Sequence, residues 1–407
     1  MRIGLVSYRT DPHCGGQGVY IQNLSRALRD IGHHVDVISG PPYPQSTSEA
    51  NNIHLPCLDL YNPENLFRMP GLRELCSPTN LIEWLGVSTA GFPEPFTFGL
   101  RAYQFLRNMS KQYDIIHDNQ SLSYGIWAIT KLAPTIATIH HPITVDRDLA
   151  IKAAGNLPEK IKEMRWHSFI GMQKRVSRTF SHIITVSKFA RNDICKDFKI
   201  PLHRFRIVPN GINTELFFPL PGIRREKNRI IVTNSSDTPL KGLRYLLRAV
   251  SQISRTQEIK MTIVGKPHRN SETMRLMKDL DIGNLITFTG RIDHNEFVHQ
   301  YAKATVAVIP SLYEGFGFPV GEAMACGVPV ISTTGGALPE VVGKAGILVP
   351  PADHEALTRA IKELLADPAR ARHLGLIGYE RVRRHFTWRK AAERTTAVYR
   401  EAIRDHR

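Results

Sequence analysis

The sequence predicts an α/β protein of more than one domain, built on parallel sheets, and three observations carry that reading. The first is the stretch 311–333, SLYEGFGFPVGEAMACGVPVIST, which lies between two apolar runs at 305–310 and 328–332. Pro319 suits the first turn of a short helix and Gly327 its end, so the unit reads strand, loop, helix, strand, the order of a parallel sheet. The second is the N-terminus, where a strand at 2–7, a glycine-bearing loop, a helix and a strand at 34–39 repeat that order. The third is length, since 407 residues are too many for one hydrophobic core and point to two or three domains.

The loop of the central unit leaves the carboxyl end of its first strand, where open α/β sheets take their ligands. Gly315 and Gly317 let the backbone turn tightly and approach a ligand. The amides near Phe316 to Phe318 then point at an anion, and the following helix adds its positive end. Glu314 stands before the loop and Glu322 on the helix behind it. The pair suits two separated hydroxyl-bearing parts of one ligand with phosphates between them, as in a sugar, a phosphate bridge and a ribose. An ordinary βαβ unit with a glycine-rich loop is the plainer reading of the same residues.

Taken whole, EGFGFPVGEAMACGVPVI resembles the signature of the family 4 glycosyltransferases, retaining enzymes of the GT-B architecture, with two glutamates separated by seven residues. The resemblance implies two Rossmann-like domains with parallel sheets facing a central cleft. Residues 1–212 would form the acceptor side and 213–387 would hold the donor, with a terminal helix, 388–407, packing back on the first domain. It implies transfer of a hexosyl unit from a UDP- or GDP-sugar to an acceptor hydroxyl of a glycan or lipid-linked glycan, with retention at the anomeric carbon. No cofactor and no metal are implied, because cationic and dipolar groups serve the diphosphate.

Composition fits a globular protein, with 42% hydrophobic residues and no run of about twenty apolar ones to span a membrane. The N-terminus passes straight into a strand and lacks a signal-peptide layout. Five scattered cysteines (14, 57, 76, 195 and 326) show neither a disulfide framework nor metal-ligand spacing, which favours a reducing cytoplasm. The net charge of +16 is concentrated at 159–206, with twelve Lys/Arg against four acids, and at 370–407, with eleven against four. That balance suits phosphorylated ligands and peripheral contact with the anionic inner face of a membrane; a solvated basic face explains it equally. Aromatic residues are not interleaved with the basic ones, which argues against nucleic acid as a partner.

In chain order, the first helix carries Val19, Leu24, Leu28 and Ile31 at helical spacing and stops at Gly32. A nicotinamide site fits its approach poorly. Gly16 and Gly18 begin the pattern, but Ile21 stands where the third glycine belongs, and Asp36 lies inside the second strand. By the resemblance, Gly15 and Gly16 instead touch the donor pyrophosphate. Residues 41–112 hold no periodicity; they read either as an insertion shaping the acceptor site or as a cover for the sheet edge. Strands follow at 113–118 and from 135, the latter ending in His140 and His141. The resemblance sets His140 beside the transferred sugar; a satisfied structural histidine is the alternative, and no neighbouring residues make it a metal ligand. A helical stretch at 158–180 carries Ile161, Met164, Phe169, Met172 and Val176 among Lys and Arg, suited to lipid headgroups or to core packing with a solvated face.

A strand at 181–186 and the turn Pro209-Asn-Gly follow, and residues 219–229 read as an interdomain linker. The second half opens with a strand at 230–233 and a helix from about Leu243. Lys241, just ahead of that helix, matches the family lysine that pairs with the donor diphosphate. Ser235 stands where the family usually has arginine, so either another basic residue or the Ser235 and Ser236 hydroxyls compensate, or donor binding differs. Strands at 260–264 and 285–289 follow, the second ending in Gly290-Arg291, a loop the resemblance sets beside the nucleotide base. Helices then run from about His354 to Asp367 and from Trp388. Three other readings carry tests of their own. They are a glycoside hydrolase using the two glutamates, a non-catalytic nucleotide-sugar-binding protein, and a nicotinamide enzyme.

Overall fold

The computed structural model describes residues 1–11, 16–43, 51–61, 65, 68–233, 238–265 and 271–406. The chain divides into two compact units, Met1–Val208 with Ala391–Arg407, and Pro209–Lys390. Residues 219–229 therefore lie within the second unit. They are fastened there by Arg225, whose guanidinium donates to the carbonyls of Ala304 and Gly327 at 2.7 Å each. The Glu226 amide adds a bond to the Lys303 carbonyl at 2.8 Å, so a segment whose polar, proline-bearing composition reads as a linker is docked by its hydrogen bonds.

The first unit holds a seven-stranded parallel sheet in the order β3-β2-β1-β4-β5-β6-β7. Its strands are β1 (Arg2–Ser7), β2 (His34–Ser39), β3 (Asn51–His54), β4 (Ile115–Asn119), β5 (Thr135–Thr138), β6 (Ile183–Thr185) and β7 (Phe205–Ile207). The first helix, Gly16–Asp30, buries Tyr20, Ile21, Leu24 and Leu28, while Val19 and Ile31 are only half-buried. Asp36, inside β2, meets Arg2 at 3.4 Å and accepts from Asn51 at 3.1 Å, so its carboxylate is taken up within the sheet.

Residues 41–112, unreadable from periodicity, supply the edge strand β3, a short helix at Leu72–Leu75 and two longer ones, Pro78–Ser88 and Glu94–Leu106. Arg101 and Glu83 join the two longer helices as a buried ion pair. The helical stretch at 158–180 is broken into Leu157–Trp166, a 3₁₀ turn at His167–Phe169, and Ile170–Ser177. Ile161 and Met164 are more than half exposed, whereas Met172 and Val176 are core.

The second unit holds a six-stranded parallel sheet, β10-β9-β8-β11-β12-β13. Its strands are β8 (Arg229–Thr233), β9 (Lys260–Val264), β10 (Ile286–Phe288), β11 (Val306–Ile309), β12 (Val330–Thr333) and β13 (Gly346–Val349). Side chains such as Ile230, Met261, Val306, Val308 and Ile331 pack against Leu246, Leu247, Val250, Leu357 and Ile361 of two covering helices. Sequence reading missed the helix Pro368–His385, which follows the expected His354–Ala366 almost without a break. Asp367 starts it by accepting from the Arg370 amide at 2.9 Å.

In each sheet the strand order reverses once, between β1 and β4 and between β8 and β11. Ala307 pairs with Ile231, so β8 and β11 end level at Thr233 and Ile309 and their loops leave side by side. Likewise Val6 pairs with Asp118 and Asn119 with Thr138, so β1, β4 and β5 end together. Among the described residues, no helix is long and apolar enough to cross a membrane.

Candidate functional site

The loops after β8 and β11 meet at the switch point of the second sheet. Leu312 donates its amide to the Leu240 carbonyl at 2.8 Å, and Gly242 turns with φ +65 where a Cβ would lie 2.0 Å from the Pro310 carbonyl oxygen. Only a glycine allows the two loops to lie this close. The result is that Lys241 Nζ reaches Glu314 Oε1 at 2.9 Å across 73 residues of sequence. Ser311 donates its hydroxyl to the same carboxylate oxygen at 2.8 Å. From behind, Ala337 donates its amide to the Glu314 carbonyl at 2.8 Å, and at Gly336, φ +66, a Cβ would stand 2.2 Å from that oxygen. Thr333 adds a hydroxyl bond to the Ser311 carbonyl.

The helix Phe318–Ala325 starts at Gly317, φ +99, with no side chain capping it. Its first amides therefore have no intrahelical acceptor and carry the positive end of the helix dipole. Phe316 anchors this turn through its buried ring, edge-on to Phe318 at 5.4 Å and to Phe386 at 5.8 Å. What Phe316 can offer an anion is thus its backbone. Gly315, between Glu314 and this turn, completes the loop.

Glu322 lies one turn into the helix, and burial pushes its carboxyl up to about 7, with the Tyr301 hydroxyl and the Lys241 charge opposing the rise. It therefore carries only partial negative charge near neutral pH, and a hydroxyl donor would favour the ionised form. Arg291 is exposed beyond the end of β10, the edge strand two places from β8, and is not drawn into the Lys241–Glu314 cluster. Gly15 and Ser235 lie outside the described residues; Gly16 opens the first helix of the first unit.

The first unit builds a second cluster at its own switch point. Asp118 is fully buried, and burial pushes its carboxyl up to about 6. It binds the Ser121 hydroxyl and accepts the Leu122 amide at 2.8 Å, holding Gln120 and Leu122 at φ +56 and +49. That turn aims Gln120 Oε1 at the His140 amide, 2.7 Å away. His140 Nε2 lies 2.8 Å from Asn119 Oδ1, and Asn119 donates its amide to Ser7 Oγ at 3.1 Å. Ser7 in turn donates to the Arg9 carbonyl at 2.8 Å. Reading the chain back from Arg9 fixes the proton on His140 Nε2 and leaves Nδ1 as an acceptor. Burial lowers the ring's pKa to about 3, so it is neutral at working pH.

Sequence reasoning named Lys241, Glu314, Glu322 and His140 but missed the partners Ser311 of Glu314, Tyr301 of Glu322, and Asn119 and Gln120 of His140. Asn119 and Gln120 were findable, because they end a strand at a switch point. Tyr301, on the helix His294–Lys303, carries no local signal. Among the described residues, no group of three or more His, Cys, Asp or Glu is placed to hold a metal ion.

Comparison with known proteins assigns the family. The Glycosyltransferase Family 4 model matches residues 14–216, and the Glycosyl transferases group 1 model matches 221–381. The MMP alpha-(1->4)-mannosyltransferase of Mycolicibacterium hassiacum is 43% identical over 408 residues, covering 99% of this chain and 98% of that protein. Sucrose-phosphate synthase from Thermosynechococcus elongatus superposes with a TM-score of 0.76 at 25% identity, each chain covered in full. The fold is shared also with HepE of Anabaena, solved with UDP and glucose, at a TM-score of 0.70 and 15% identity over 98% of this chain and 100% of that one. This chain belongs to the family 4 glycosyltransferases, with the α/β, two-sheet GT-B fold.

Proposed function

We propose that this enzyme is a retaining hexosyltransferase that moves a mannosyl unit from a UDP- or GDP-linked donor to an acceptor hydroxyl in glycan or glycolipid synthesis. The observation that carries the reading is Lys241 paired with Glu314 beside an uncapped helix start at the switch point of the second sheet. The mannosyl unit is taken from the 43% identical relative. In the free enzyme Glu314 neutralises Lys241. When donor binds, Lys241 turns to the diphosphate and Glu314 to the sugar hydroxyls, while Glu322 accepts from the ribose. Gly15, Gly16 and the Ser235 hydroxyl would add contacts to the phosphates, and Arg291 would stand near the base.

The bond from the anomeric carbon to the diphosphate oxygen breaks as the acceptor oxygen bonds to that carbon, on the same face. The acceptor proton goes to the departing diphosphate. Once Lys241 has turned, it and the amides of Phe316 to Phe318 would face the oxygens on which negative charge grows, which lowers the barrier. The reaction as proposed needs no metal and no cofactor. His140, neutral with its Nδ1 lone pair free of the Asn119 bond, accepts a hydroxyl of the sugar rather than supplying charge. We place the enzyme in the cytoplasm, with any membrane contact made by exposed Leu157, Ile161 and Met164 beside Lys160 and Lys162.

Calorimetric titration with UDP, GDP and ADP, repeated on Lys241→Ala, tests the site and names the base. NMR of the product formed from an α-linked donor tests retention. No nucleotide binding, or binding indifferent to Lys241→Ala, rejects the site; a β-linked product rejects retention.

A further inference from the structure

The first unit carries a cavity that none of the roles above uses. It has a volume of about 210 Å³, walled by Phe92, Phe96, Tyr124, Phe169 and Met172, with exposed Arg165 and Ser168 at its edge. Its walls come from residues 86–96, the segment without periodicity, and from the helical stretch that follows Asn156. Phe92 fixes them. It stacks on Trp166 at 5.0 Å, meets Phe169 edge-on at 5.4 Å and Tyr8 at 6.3 Å, and lies under the Arg9 guanidinium at 5.1 Å. Tyr8 and Arg9 are the first residues after β1, and Tyr124 opens the helix after the β4 loop. The cavity therefore adjoins the loops that leave the switch point of the first sheet, where such sheets take ligands.

Its chemistry selects the occupant. The volume corresponds to about seven waters, room for one ring or a chain of several methylenes. Two of the few polar groups are already engaged, Tyr124 accepting from Arg175 Nη1 at 3.2 Å and Arg165 Nη2 donating to Thr89 Oγ1 at 2.9 Å, and Ser168 stands at the exposed edge. A hydroxylated sugar ring seated among these aromatic faces would leave hydroxyls without partners, at a cost an apolar group does not meet.

We propose that the cavity seats an apolar aglycone, alkyl or aryl, carried by the acceptor sugar. This rests on reading the first unit as the acceptor side. The test compares octyl and methyl mannoside on the full chain, first as ligands by calorimetry without donor and below the micelle concentration, then as acceptors in transfer. Each buried methylene is worth about fourfold in affinity, so octyl mannoside is expected to bind at least about tenfold tighter. In turnover it should lower KM by a similar factor with kcat little changed. Ser168→Trp, built on an exposed edge residue, should fill the cavity and erase the difference; Phe96→Ala should reduce it. Equal binding of the two glycosides, or an octyl preference untouched by both variants, overturns the proposal. Octyl binding that these variants weaken, with no transfer to either glycoside, supports the cavity and counts against the transfer reading. Transfer to both with equal KM does the reverse.

Discussion

The Glu322→Gln variant asks whether the proposed ribose acceptor is held at a cost to the fold. Burial raises this carboxyl from 4.5 to about 7. A carboxyl whose folded pKa exceeds its unfolded one stabilises the fold while protonated. That contribution is complete below the unfolded value and is lost as pH rises through the folded one. At about 1.4 kcal/mol per unit, the wild-type second unit gives up roughly 2–3 kcal/mol between pH 5 and pH 8 through this one group, an upper bound because the side chain is partly solvated. Glutamine keeps the shape and can still accept from the Tyr301 hydroxyl, but has no charge to desolvate. The variant should therefore gain on wild type as pH rises, by about 2 kcal/mol in urea unfolding between pH 5 and pH 8. It should lose nucleotide affinity over the same range, because a neutral amide replaces a charged acceptor of the ribose hydroxyls. A variant less stable than wild type at pH 8, or a gap that does not change with pH, would refute the reasoning.

Three further outcomes are expected. Lys241→Ala removes a half-buried ion pair of small worth to stability but should slow transfer about 100-fold or more at saturating donor. A kcat within a few fold of wild type would reject the role of Lys241. His140, held neutral by burial down to about pH 3, should add no inflection to the pH–rate profile between pH 5 and pH 9. Asn119→Asp puts a carboxylate on its Nε2 and should create one near neutrality; an unchanged profile would contradict the assigned hydrogen-bond chain. Gly336→Ala drives a Cβ into the Glu314 carbonyl at positive φ and should cost about 1–3 kcal/mol in urea unfolding together with donor affinity.

What the sequence disclosed, and what it withheld, follows from range. The strand–loop–helix–strand unit around Gly315 and Gly317 is a local pattern of buried strands, a proline in the first helical turn and a glycine at the end. The structure places β11, the helix Phe318–Ala325 and β12 within two residues of those expectations. Residues 41–112 were not readable because their order comes from contacts that leave no period. Arg101 is buried only because Glu83 and Asn80 meet it, and Phe92 is fixed by Trp166 and Phe169 from more than seventy residues on. The helix Pro368–His385 was lost for a different reason. A single aspartate, Asp367, ends one helix and caps the next, so no loop composition marks the join.

The candidate site shows the same division. Gly315, Gly317 and the two glutamates belong to one short stretch and could be read there, but what makes them a site is the register of β8 against β11. That register brings Lys241 to Glu314 and, with Gly242 and Gly336 clearing the way, lets two backbones lie within bonding distance. In the first unit the register of β1, β4 and β5 does the same for Ser7, Asn119 and His140. In the first unit the polar chain runs from the strand ends Ser7 and Asn119 to His140. A sheet that ends its central strands level therefore brings side chains from separate loops into hydrogen-bonding contact. The cost is visible in the carboxyls of Glu322 and Asp118, both raised by burial and both placed by neighbours that no local pattern announces.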